Sequence, residues 1–218
     1  MYVISETAAV PLLDLGFAIS ASAQDADETF KLMKEAISSI TERYEASKIR
    51  YALLTFGTTV KKEVNFTLDL PDPEVLRKAL ESASQPSGDP DLQRALEEAK
   101  MTFKQAPSRP GAKKVLVVIM DKKSISDSSE VEQASKPLED VNIVVVPVAV
   151  GPAASLPELE KTTTNKKYMI IVGKDENPET LGEEIMRKAL KSECLACFLN
   201  MYLSRSEMRC VTPLWLPW

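Results

Sequence analysis

At 218 residues, the chain is long enough for one well-packed domain with a tail and short for two. Its 44% hydrophobic and 27% charged residues suit a folding sequence, and a net charge of -5 with scattered lysines and arginines excludes a broad nucleic-acid surface. There is no histidine, which removes the commonest general base, the Ser-His-Asp and Cys-His nucleophile sets and the usual catalytic zinc sites, so hydrolase chemistry is not expected.

In chain order, "LLDLGFAIS" (12–20) reads as a buried strand. "DETFKLMKEAISSITERYEA" places Phe30, Met33, Ile37, Ile40 and Tyr44 at helical spacing, with Asp25 or Asp27 able to cap its start. "IRYALLTFG" (49–57) is a second strand, and "VKKEVNFTL" (60–68) follows after only two residues, too few for a parallel crossover, so it lies antiparallel at an edge. Segments 73–84 and 91–104 each carry one apolar face and read as helices. "KKVLVVIMD" (113–121) has the continuous apolar run of a central parallel strand. A weaker helix at 128–139 leads to the strand "VNIVVVPVAVG", and a short helix at 155–161 leads to the strand "KYMIIVG" (167–173). "NPETLGEEIMRKALK" closes the series as a helix capped by Asn177 with Pro178 at its first position.

This alternation predicts an α/β fold: a doubly wound, mostly parallel six-stranded sheet with one antiparallel edge strand and helices on both faces. Ligands of such sheets sit beyond the carboxyl ends of the strands. That is where "SASAQ", "SGDPD" and "DKKSISD" would meet. The longest apolar run, "NIVVVPVAVG", is far below the roughly 20 residues of a membrane helix and contains a proline, so no membrane span is expected.

Taken together, "DLGFAIS" with its small hydroxyl loop, "IRYALLTFGTTVKKEVNF", "SGDPDLQRALEEA" and "KKVLVVIMDKKSISD" resemble, in that order, the von Willebrand factor type A domain, the fold shared with integrin inserted domains. The resemblance spans about residues 12–191, which makes 1–11 an N-terminal extension and 192–218 a cysteine- and aromatic-containing tail. It implies a metal-ion-dependent adhesion site, in which an Asp and two Ser of the first loop, a Thr of the second and an Asp of the third hold Mg2+ and leave a position open for a partner carboxylate.

Carried over position by position, the first Asp is Ser20, the first Ser is Ser22, the second Ser is Gln24, the Thr is Pro90 and the last Asp is Asp121. The site is therefore expected in degenerate form, without standard Mg2+ binding: Ser20 lacks a charge, Pro90 lacks a hydroxyl, and Lys122 sets an ammonium beside Asp121. Nearby Asp25, Asp27, Asp89, Asp91 and Asp127 admit two readings. They cap helices or lie in solvated loops, or with Asp121 they rebuild a site for Ca2+, which tolerates irregular geometry.

Smaller signals remain. "NFT" at Asn65 is a glycosylation sequon on the expected edge strand. Cys194, Cys197 and Cys210 are disulfide candidates of odd number, and the tail that holds them ends in "WLPW", a composition suited to homo- or hetero-association. The resemblance implies a non-enzymatic protein–protein interaction module of cell adhesion or extracellular-matrix assembly, secreted, with matrix or adhesion proteins as partners and no cofactor expected beyond Mg2+ or Ca2+. "MYVISETAAVPLL" shows no signal peptide, so an intracellular, cytoplasmic scaffold subunit of a multiprotein complex stands as the alternative. A nucleotide enzyme is not expected, because "SASAQ" lacks the glycines and lysine that cradle phosphates.

Overall fold

The computed structural model describes residues 11–22, 26–44, 46–67, 73–163 and 165–191. The segment Leu13–Ser20 (β1) is apolar at almost every position and buried at all of them, as a strand covered on both faces must be. The same holds for Ile49–Phe56 (β2), and nearly so for Lys113–Met120 (β4) and Ile143–Val150 (β5). Val60–Val64 (β3) carries three consecutive charged residues between two valines and lies at one edge, and the three-residue Ile170–Val172 (β6) lies at the other. The sheet order is β3-β2-β1-β4-β5-β6, parallel throughout except for β3 against β2.

Because side chains alternate across a strand, the sheet feeds two cores. On one face Leu15, Phe17, Ile19, Tyr51, Val117 and Val148 pack with Ala26–Arg43 (α1), Pro73–Ser82 (α2) and Pro178–Leu190 (α6). On the other, Ala18, Leu54, Phe56, Val118 and Val145 pack with Leu92–Gln105 (α3), Ser128–Glu139 (α4) and Leu156–Glu160 (α5). A Cβ at Gly16 of β1 would sit 3.0 Å from the Phe103 ring, so the glycine lets α3 approach the sheet closely. Each fully buried Leu, Ile or Phe contributes roughly 1.5–3 kcal/mol through removal from water.

The expected six strands, single antiparallel edge and two-sided helix cover are present, with corrections at the sheet edges. The third strand stops at Val64 rather than running to residue 68. Phe66 instead turns inward, its ring centroid 4.8 Å from that of Phe103, with the Arg50 guanidinium 5.8 Å from its own centroid. The last strand begins at Ile170, not 167, because Lys166–Tyr168 form a 3-10 turn in which the Asn165 side chain accepts from the Lys167 amide.

At the amino end of the sheet, paired residues Asp14 and Arg50 form a two-pronged ion pair of 2.8 and 2.6 Å. Arg50 also donates to the Thr67 and Pro107 carbonyls, so the charge buried there is hydrogen-bonded on several sides.

Candidate functional site

β1 and β4 run side by side and end together, Ser20 opposite Met120, which sets the first and third loops next to one another beyond the carboxyl edge. Ser20 and Asp121 are both fully buried there. The Ser22 amide donates to Asp121 Oδ1 at 2.8 Å and ties the first loop to the third. The Ser20 and Ser22 hydroxyl oxygens are buried without a hydrogen-bond partner among the described residues. The structure thus brings Ser20, Ser22 and Asp121 together, as their order along the chain predicts. Gln24 and Asp25 lie outside the described residues, and Asp27 sits exposed in the first turn of α1, where its charge opposes the positive helix end.

The second loop is positioned by close backbone approach. A Cβ on Gly57 would lie 2.1 Å from the Ser87 carbonyl oxygen, so no side chain fits where the β2–β3 turn meets this loop. The Thr58 amide donates to Ser87 O at 3.2 Å and the Asp91 amide to Gly57 O at 3.0 Å. Pro90 is buried, and its carbonyl accepts from the Ile125 amide and the Ser124 hydroxyl, both at 2.9 Å.

Two serines of the third loop, not singled out by the sequence, hold the second loop in place. Ser124 Oγ donates to Pro90 O and accepts from the amides of Leu92 (3.0 Å) and Ser126 (3.1 Å), which uses its one proton and both lone pairs. Ser126 Oγ accepts from the Gln93 amide at 3.1 Å and donates to Asp91 Oδ1 at 3.0 Å. Asp91 itself caps α3 by accepting from the Arg94 amide. The first three amides of α3, orphaned by helix geometry, are therefore satisfied by Ser124, Ser126 and Asp91. The only trace of this in the sequence is the spacing "S-I-S" shortly after the strand-ending aspartate.

The remaining acidic residues are engaged separately. Asp127 caps α4 in a reciprocal box: its carboxylate accepts from the Glu130 and Ser129 amides, and its own amide donates to Glu130. The Glu130 amide first, then the Ser129 hydroxyl and amide, hold its carboxyl below the usual range. Asp89 is not a cap; it pairs with Lys122 at 2.5 Å, both half exposed. Asp91 and Asp127 thus stand as caps, and among the described residues no group of three or more Asp, Glu, Cys or His side chains is placed to hold one ion.

Glu158 of α5 is another buried carboxylate, with no sign of its burial in the neighbouring residues. One of its oxygens lies 3.9 Å from Lys123 Nζ, while the other has no partner among the described residues. A cavity of about 480 Å3, whose lining includes Asp14, Arg109 and Asn142, opens at the amino end of the sheet, away from the three loops. No helix among the described residues is long and apolar enough to cross a membrane.

An open, mostly parallel sheet whose first, second and third loops converge at one carboxyl edge defines a binding domain built on a doubly wound frame. The chain belongs to the von Willebrand factor type A domain family, whose model matches residues 14–184. Domains of this family are protein-interaction modules and generally not enzymes. Among solved structures, the chain is similar to proximal thread matrix protein 1 from the mussel byssus (18% identity, TM-score 0.72, 83% of this chain and 48% of that one). A form of that protein described with a zinc-occupied metal-ion-dependent adhesion motif matches at 19% identity and a TM-score of 0.71, over 83% of this chain and 46% of that one. A conserved hypothetical protein, BatB from Bacteroides thetaiotaomicron, matches over its whole length and 82% of this chain (14% identity, TM-score 0.61). At these identities the likeness is one of fold, and the chain spans about half the length of the byssus protein.

Proposed function

We propose that this chain is a non-enzymatic protein–protein interaction module of cell adhesion or extracellular-matrix assembly that works without the family's Mg2+-dependent capture of a partner carboxylate. The observation that carries this reading is the clamp of Ser124 and Ser126 on the second loop, which does by hydrogen bonds the joining that an ion would otherwise do.

The donor set supports it. A hard divalent ion wants several anionic or carbonyl oxygens, and here Asp121 is the one carboxylate retained, already accepting from the Ser22 amide. Ser20 offers an uncharged oxygen, and Pro90 presents a carbonyl that accepts two bonds within the protein. Lys122 follows Asp121 directly, and its ammonium pairs with Asp89, so that carboxylate already has a cationic partner. These residues do not fit Mg2+ in the family's manner. The matrix setting is supported by the likeness to a byssus matrix protein. In this reading the domain of about 12–191 supplies the docking surface, and the tail with Cys194, Cys197 and Cys210 links it to further chains; that tail lies outside the described residues.

Calorimetric titration with Mg2+, Mn2+ and Ca2+ tests the proposal. Absence of saturable Mg2+ binding is the expected outcome. Micromolar Mg2+ binding abolished by Asp121→Ala overturns it, and Ca2+ binding abolished by Asp89→Ala or Asp91→Ala replaces it with a rebuilt calcium site.

A further inference from the structure

The sequon Asn65-Phe66-Thr67 follows directly on β3, where the chain leaves the ladder. Burial alternates across it: Val64 and Phe66 are buried, whereas Asn65 and Thr67 are exposed. The alternation is enforced from inside. Phe66 packs on Phe103 and under Arg50, and the Thr67 carbonyl accepts from Arg50 Nη1 at 3.2 Å. With Val64 paired to Leu53 before it and Phe66 and Thr67 held after it, residue 65 is turned to solvent, so a bulky substituent on its amide displaces no core residue.

We propose that Asn65 is an N-glycosylation site and that its glycan covers the β3 edge of the sheet. This rests on the extracellular reading above, since the modifying enzyme works in the secretory pathway. The side-chain amide nitrogen of Asn65 would bond to the anomeric carbon of a lipid-pyrophosphate-linked oligosaccharide; the bond from that carbon to the pyrophosphate breaks, and the amide loses one proton.

Position gives the modification its consequence. β3 is antiparallel to β2, with Val60 opposite Phe56 near the three loops and Val64 opposite Leu53, and Thr67 reaches back to Arg50 near the amino end. A glycan at Asn65 therefore stands on the flank, away from Asp121 and the Ser124 clamp. It shields the backbone groups of an edge that otherwise invites strand pairing. The loop face and the opposite edge, where Ile171 of β6 is 62% exposed, stay open to a partner.

The test is secretion of the chain behind a cleavable leader from mammalian cells, with mobility before and after peptide-N-glycosidase and mass analysis of the tryptic peptide holding residue 65. A mobility shift that the glycosidase removes, with conversion of Asn65 to Asp on release, is expected. The shift should vanish in Asn65→Gln and in Thr67→Ala and persist in Thr67→Ser, which separates loss of the sequon from loss of folding. A folded, secreted chain with no glycan on Asn65 overturns this proposal and leaves the extracellular reading standing.

Discussion

Replacing Ser124 by Ala deletes one hydroxyl that makes three hydrogen bonds, two across to Pro90 and Leu92 and one within the third loop to the Ser126 amide. The residue is 5% exposed, so water does not readily take its place. Pro90 O keeps its bond from the Ile125 amide, whereas the Leu92 and Ser126 amides lose their acceptor. Each buried donor left unmade costs about 1–3 kcal/mol, and with partial relaxation the pair amounts to about 2–4 kcal/mol. The Ser126→Ala change removes the acceptor of one half-buried amide, and Asp91 retains its own bond from Arg94, so about 1 kcal/mol is expected. Urea unfolding of the three proteins, with and without EDTA, measures both values. The midpoint should fall in that order while the slope and the response to EDTA stay unchanged. A Ser124→Ala protein within about 0.5 kcal/mol of the parent, the range of an ordinary surface change, refutes the clamp.

Other outcomes follow from the core. The Tyr51 hydroxyl is buried with no partner among the described residues, and desolvation pushes its pKa well above 10.0, the ordinary value. Tyr51→Phe should therefore raise stability by about 1 kcal/mol in urea unfolding at neutral pH, and a loss contradicts the reading. Because the folded phenol resists ionisation and the unfolded one does not, the parent loses stability as pH rises past 10.0, a limb that Tyr51→Phe lacks. Arg50→Ala leaves the Asp14 carboxylate buried with only a 3.5 Å contact to Arg109, a change that should cost about 3–5 kcal/mol. Replacing both partners by apolar residues should recover part of that loss, and failure of the double variant to exceed the single one counts against a desolvation origin.

The central strands were legible because "KKVLVVIM" and "NIVVVPVAV" leave no room for a polar face, and β3 because two residues cannot make a parallel crossover. Their ends were less legible, since short-range competitors decide them. Asn165 captures the Lys167 amide and delays β6, and Phe66 prefers an aromatic neighbour to another ladder position. At the loops, the juxtaposition of Ser20, Ser22 and Asp121 could be read from order along the chain. "DPD" left two candidate caps, and only geometry assigns Asp91 to the helix and Asp89 to Lys122. The serine clamp escaped altogether because its partners lie more than thirty residues upstream, and a serine in a loop carries no sign of what it will bind.

The sheet order also governs how the chain can be made. β1 is the first of the six described strands to be synthesised and is central in the finished sheet, with β2 on one side and β4 on the other. β2 follows within about forty residues, but the partner for the second side of β1 is not complete until Met120 has been made. During that interval Leu13–Ser20, whose every residue ends buried, presents an unpaired apolar edge to its surroundings. The nascent domain is thus most exposed to misassociation while its amino-terminal half is complete and β4 is still emerging from the ribosome.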